Sequence, residues 1–398
     1  MSKFNLPLMS DNISREDINS VIDFLSQDEI PKLTNGPKVV EFEQKWSEWL
    51  GVKHSLMVNS GTAANELTML ALKYLYGEGE IIVPPLTWVS DVNSTIFAGF
   101  DPVFVDVNMT NLSFDINKLK EAINENTKAI FLTHVLGLNG LTDELIQLCE
   151  DNNILLIEDV CESHGATFRG KKCGSVGFAS NFSFYFAHHM STIEGGMVCT
   201  NDDKFYQVCR ALRSHGMVRE CTDDNFKQEI AQANPDIHPN FTFLAPAHNF
   251  RSTEINAVIG LSQLPKLDIN NSKRVDNFNY FMNRLDSSKY ITDLNLEGQC
   301  NYAFIIIMKE GLYDFSLDKI EQRDLIEQTL TSNGIEFRRG LSGGGNQTLQ
   351  PFIKSNFDID QKDFSNVNHI HNYSWYVGNF PTLEKEKIDF LIKTLNNI

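Results

Sequence analysis

Short apolar runs rich in β-branched residues alternate, through the first half of the chain, with longer stretches whose apolar residues recur every three or four positions. Residues 56–58 precede a helical pattern over 62–76, residues 81–83 precede 91–98, and residues 102–107 precede 116–123. Residues 129–133 precede 142–151, which leads into the run 154–157. A continuous apolar run fits a strand buried on both faces, and a 3.6-residue period fits a helix burying one stripe. Their alternation predicts βαβ units on a mainly parallel sheet. Ligands of such sheets sit at the carboxyl ends of the strands. Asn59-Ser60-Gly61, Asp159 and the stretch 183–189 are therefore expected along one rim.

From about Asp268 the pattern changes to a long polar helical stretch, followed by a strand over 302–308. A helix over 320–333, a strand over 334–338 and a closing helix over 383–395 complete it. The prediction is a large α/β domain over residues 1–265 and a small α+β domain over 266–398.

Composition narrows the class. The 398 residues are 42% hydrophobic and 22% charged, as in an ordinary globular chain. No apolar run approaches the roughly 20 residues of a membrane helix. The first residues lack the apolar core of a secretory signal, so neither leader nor membrane is expected. Seven cysteines, at 149, 161, 173, 199, 209, 221 and 300, form no Cys-x-x-Cys pair. Neither a disulfide framework nor a metal site is predicted, and a reducing cytoplasm is the expected location. The formal charge of −18 argues against nucleic acid as a partner. An anionic ligand has to be met locally, by arginines or helix N-termini.

Several short motifs carry chemistry, although each also has a bland reading. Asn59-Ser60-Gly61-Thr62-Ala63-Ala64 stands at a strand-to-helix turn, where small residues let a phosphate approach free N–H groups, or simply make a turn. Asp159 ends an apolar strand and suits a protonated ring nitrogen, or a helix cap. Trp88 is a stacking surface or a core residue. Arg338 and Arg339, beside the run Gly343-Gly344-Gly345, and Arg219 suit a diphosphate, or belong to solvated loops.

The segment Asn181-Phe-Ser-Phe-Tyr-Phe-Ala-His188-His189-Met-Ser-Thr-Ile-Glu194-Gly195-Gly196 resembles the active-site loop of the DegT/DnrJ/EryC1/StrS sugar aminotransferases. The likeness extends from residues 7–11 to residues 343–345. It implies a fold-type-I pyridoxal-phosphate aminotransferase fold, with a mainly parallel seven-stranded sheet in the large domain. It also implies cofactor contacts from Gly61, Thr62 and Ser183 to the phosphate, Trp88 to the ring face and Asp159 to the ring nitrogen. Asn249 would reach the phosphate from a neighbouring subunit, making a homodimer with shared sites.

Two departures from the family pattern stand out. His188 occupies the position of the lysine that bonds the cofactor, and no lysine lies between Lys172 and Lys204. Glu162 stands where the family has a glutamine beside the ring's phenolic oxygen. Both resemble the sugar 3-dehydratases within the family, which hold pyridoxamine or pyridoxal 5′-phosphate noncovalently and use the histidine as the catalytic base. The implied substrate is a nucleotide-linked 4-keto-6-deoxyhexose, GDP-4-keto-6-deoxy-D-mannose by overall resemblance. Its C3 hydroxyl would be lost, ammonia released and the amine form restored by L-glutamate. The implied setting is 3,6-dideoxysugar synthesis for bacterial lipopolysaccharide O-antigen.

A related type acts on CDP-4-keto-6-deoxyglucose with an iron–sulfur cluster. Cys199, Cys209 and Cys221 lack cluster spacing, so no cluster is expected. The alternatives carried forward are the CDP-linked substrate, an ordinary sugar aminotransferase, and a cofactor-binding regulator without catalysis.

Overall fold

The computed structural model of the protein describes residues 4–9, 12–309 and 319–398. Ser10 and Asp11, which end the first segment carrying the family likeness, lie outside the described residues, as do residues 1–3 of the amino-terminal stretch where no leader was expected.

The strands in chain order are β1 (His54–Val58), β2 (Glu80–Val83), β3 (Asp101–Phe104), β4 (Thr127–Thr133), β5 (Leu155–Asp159), β6 (Thr167–Phe168) and β7 (Lys171–Lys172). They continue as β8 (Ala179–Ser183), β9 (Gly196–Thr200), β10 (Ala303–Ile307), β11 (Phe337–Arg339) and β12 (Ser374–Gly378). A seven-stranded sheet has the order β1-β9-β8-β5-β4-β2-β3. β3, β2, β4, β5 and β8 run parallel, and β9 is antiparallel to both β8 and β1.

Alternate residues of these strands enter two different cores. Val58, Val83, Phe131 and Ile157 pack with Ala64, Leu67 and Leu72 of helix Gly61–Tyr76, and with Phe205 and Val208 of helix Asp203–Leu212. Met57, Ile82, Ile130 and Leu132 pack on the other face, with Val39, Phe42 and Trp46 of helix Pro37–Leu50. Burial on both faces is why these strands read as unbroken apolar runs. β3 ends at Phe104, short of the expected 107: Val105 still donates to the Val83 carbonyl at 3.3 Å and packs in the large-sheet core, whereas Val107 enters the small-sheet core.

A second sheet, β10-β12-β11, is antiparallel. Phe304, Ile306, Trp375 and Val377 pack there with Phe278, Phe281 and Leu391. The start of the chain returns to this unit: Leu6 bridges Ile335 and is fully buried. Helix Leu267–Met282 joins the two halves, with Leu267 in the large-sheet core and Phe278 and Phe281 in the small-sheet core. The guanidinium of Arg274, midway along it, is buried and donates to the carbonyls of Tyr302 and Asn379.

Candidate active site

The carboxyl ends of β5 and β8 and the start of the Gly61–Tyr76 helix meet at one corner. Ser60 caps that helix, its Oγ accepting the Ala63 N–H at 3.0 Å. The free N–H groups behind the cap make this helix start a natural seat for a phosphate. Crowding enforces the small residues. A Cβ on Gly61 would lie 2.6 Å from the Ser183 Cβ, and one on Gly196 would lie 2.2 Å from the Ser60 carbonyl oxygen. Ser183 pairs with Gly196 in the sheet, so strand register places the serine against the helix start.

Asp159, the last residue of β5, is almost wholly buried yet borders the cavity. Its Oδ1 accepts the Cys161 N–H at 2.8 Å, and its Oδ2 lies 3.3 Å from Asn65 Nδ2. The preceding Glu158 faces the opposite way, accepting the N–H groups of Gly174 (2.7 Å), Val176 (3.1 Å) and Gly177 (2.6 Å). His134 Nε2 lies 3.0 Å from the same carboxylate, while its Nδ1 accepts the Gly140 N–H. Cys173 stands close enough for His134, Glu158 and Cys173 to suggest a metal site. The protein's own donors already satisfy this His134–Glu158 pair, which anchors the end of β5.

Trp88 is not a core residue. It precedes helix Val89–Phe97, is 53% exposed and borders the cavity. Glu162 Oε2 accepts the Leu136 N–H at 3.1 Å. Burial raises its carboxyl to about 7, the Leu136 N–H opposing and the Asp159 charge adding to the rise. His188 follows the turn that ends β8. Its Nδ1 is buried without a hydrogen-bond partner among the described residues. The ring lies edge-on to Tyr302, centroids 5.9 Å apart, and 6.1 Å from His164. Burial lowers its imidazole to about 4, with Arg274 reinforcing and Asp159 opposing. A neutral imidazole is the consequence near pH 7.

One cavity of about 820 Å³ gathers Gly61, Thr62, Trp88, Asp159, Glu162, Ser183, His188, Arg338 and Arg339. Two expected residues stand elsewhere in the chain. Asn249 is exposed, its Oδ1 accepting the Arg251 N–H, which suits a residue expected to act on a second subunit. Arg219 lies beside Asn240 and Phe241, away from its own chain's cavity. The two arginines of β11 differ in kind. Arg339 is held by Glu327 through Nε and Nη2 at 2.5 and 2.7 Å, whereas the Arg338 guanidinium is half exposed, with Glu336 3.5 Å away.

Tyr302 and Tyr376 also line the cavity and were missed. In β12, Trp375 and Val377 point into the small-sheet core, so Tyr376 between them faces out of it.

The buried Asp159 carboxylate, the crowded glycines and the open helix start fit a phosphate-bearing pyridine cofactor without a covalent anchor. The family model for the DegT/DnrJ/EryC1/StrS aminotransferase family matches residues 11–396. The chain belongs to this family. It is 31% identical to the GDP-4-keto-6-deoxy-D-mannose 3-dehydratase of Escherichia coli O55:H7, over 98% of this chain and 99% of that one. It is 30% identical to the Yersinia pseudotuberculosis enzyme of the same name, over 98% of each. Among solved structures, a histidine-to-asparagine variant of GDP-4-keto-6-deoxymannose 3-dehydratase with bound GDP-perosamine superposes with a TM-score of 0.84. It is 29% identical and covers 98% of this chain and 100% of that chain. The same enzyme with a trapped pyridoxal-phosphate–glutamate geminal diamine gives 0.85, at 29% identity and the same coverage. The family's pyridoxal-phosphate aminotransferase fold is the fold of this chain.

Proposed function

We propose that the protein is a pyridoxamine-phosphate-dependent 3-dehydratase of GDP-4-keto-6-deoxy-D-mannose, with L-glutamate restoring the amine form and ammonia released. The observation that carries this reading is His188. It stands in the lysine position of the family loop, borders the cavity, and has a buried nitrogen without a partner among the described residues. An imidazole can move a proton but cannot hold the cofactor covalently.

Gly61, Thr62 and Ser183 would hold the phosphate, Trp88 would cover the ring and Asp159 would pair with its nitrogen. Asn249 of a second copy completes the phosphate site in a homodimer. Arg338 meets the diphosphate, Arg339 stiffens the strand that carries it, and Arg219 serves the partner's site. The division at residues 265/266 separates a cofactor-holding unit from one that brings Arg338 to the substrate. When bound, the cofactor would supply an amine for the C4 ketone and a ring able to accept an electron pair. His188, neutral through burial, would carry a proton between the cofactor's C4′ carbon and the departing C3 hydroxyl. Glu162, protonated over much of the neutral range, donates at the cofactor hydroxyl or the sugar. Seven unpaired cysteines suit a reducing cytoplasm.

The test is incubation with pyridoxal phosphate, L-glutamate and GDP-4-keto-6-deoxymannose, following the nucleotide sugar by mass spectrometry. A 3-deoxy-4-keto product with equimolar ammonia and 2-oxoglutarate is expected. Nitrogen retained on the sugar would make the protein an aminotransferase and overturn the reading.

A further inference from the structure

Deeper than Asp159 lies a second carboxyl. Asp91, in the first turn of helix Val89–Phe97, has no solvent exposure and shares a hydrogen-bond partner with Asp159. Asn65 bridges the two acids, its Nδ2 lying 2.7 Å from Asp91 Oδ1 and 3.3 Å from Asp159 Oδ2. The other Asp91 oxygen closes a triangle with two hydroxyls. It contacts Thr87 Oγ1 and lies 3.0 Å from Thr133 Oγ1, and the two threonine oxygens are 2.7 Å apart.

That triangle has three oxygen–oxygen contacts and only two threonine hydrogens. A proton on the carboxyl would supply the third hydrogen. Electrostatics agrees, because two carboxylates in one dry site do not both ionise. Asp159 is the chargeable group that acts on this acid most strongly. Among the described residues the partners of its carboxyl oxygens are Asn65, Thr87 and Thr133, and none of these is a cation.

We propose that Asp91 is a positioning residue that carries a proton, so that the acid pair presents a single negative charge, on Asp159, to the cofactor's ring nitrogen. Burial and the Asp159 charge both push the Asp91 carboxyl well above the usual carboxylate range. The proton has a structural consequence. A neutral Asp91 fixes Asn65, Thr87 and Thr133 without repelling Asp159, so the Asp159 side chain stays aimed at the cavity. Trp88 stands three residues earlier at the same helix start, so one short segment sets both the ring's stacking face and the carboxylate behind its nitrogen. The role rests on the reading that Asp159 meets a pyridine nitrogen; the proton on Asp91 does not.

The test separates those two statements. Infrared difference spectra of the cofactor-free protein and its Asp91→Asn variant, taken at pH 8, should differ by the carbonyl band of a protonated carboxylic acid. Loss of an ionised carboxylate band instead would overturn the proposal. Asp91→Leu should weaken pyridoxal-phosphate binding about tenfold or more, since it strands Asn65 and the threonines, while Asp91→Asn should restore affinity to within about threefold. Equal weakening by both variants would also overturn it. If Asp91→Leu does not fold, the infrared band and the Asp91→Asn affinity decide. A wild-type protein that shows the acid band but binds no pyridoxal phosphate would refute the cofactor reading while leaving the proton in place.

Discussion

The backbone N–H of Leu136 donates to Glu162 Oε2 at 3.1 Å, from a residue held at φ +50°. A leucine in this left-handed region costs about 1 kcal/mol or more. The turn is held by burial: Leu136 is fully buried and its carbonyl accepts Asn301 Nδ2 at 2.8 Å. The strained turn thus holds an acid at the cavity wall.

Glu162 should set the alkaline side of the activity profile. Its carboxyl, raised to about 7, is a proton donor below that pH and loses the proton above it. The rate should fall as pH rises through about 7. Glu162→Gln should lower kcat about 100-fold and flatten that limb. A wild-type alkaline limb retained in Glu162→Gln would assign it to another group.

His188 should set the acid side far below the ordinary histidine range. With the imidazole lowered to about 4, the neutral base persists until the pH falls to that value. kcat/KM of the free enzyme should show no loss between about pH 6.5 and 5 from this residue. His188→Asn should reduce product formation by about 100- to 10,000-fold and leave pyridoxal-phosphate binding intact, as read by absorbance titration.

Gly196→Ala should harm both stability and cofactor binding. Its Cβ would press within 2.2 Å of the Ser60 carbonyl oxygen, which is backbone and cannot swing aside. The expected cost is about 1–3 kcal/mol in urea unfolding, with weaker pyridoxal-phosphate binding. Unchanged affinity would mean that the helix start does not hold the phosphate.

Arg338 and Arg339 should separate in kinetics. Arg338→Gln should raise KM for the nucleotide sugar about tenfold, because a guanidinium–phosphate contact is lost. Arg339→Gln removes a partner of Glu327, so its effect should fall on stability and leave KM nearly unchanged. Steady-state kinetics with both variants checks the assignment.

Glu43→Ala should unfold easily. Glu43 Oε1 accepts Arg213 Nη1 at 2.6 Å and the Met57 N–H at 2.8 Å, with both side chains nearly inaccessible. A buried guanidinium left without its carboxylate costs about 3–5 kcal/mol. Urea titration followed by fluorescence measures it.

Local pattern was enough to read β1, β2, β4 and β5 and most of the intervening helices, because strands buried on both faces leave continuous apolar runs. β12 was not legible. It begins at Ser374, the residue that ends helix Ser365–Tyr373, with no turn between them to announce a change of period. The rim residues 59–61, 159 and 183 could be placed from the rule that parallel sheets bind at strand ends.

The chain by itself determined the chemical type of the site: a histidine where a cofactor-bonding lysine stands in the family, with an acid and small residues at strand ends. Those are properties of residue identity and spacing. Only the tertiary structure decided the electrostatic state of each group. His188 is neutral because it is buried within the field of Arg274, eighty-six residues away in sequence. Arg339 is committed to Glu327 of the helix just before its strand, and Asp91 lies behind Asp159 of a strand distant in sequence, because tertiary packing brought those elements together. Solvation and charge pairing depend on those neighbours, and spacing along the chain does not encode them.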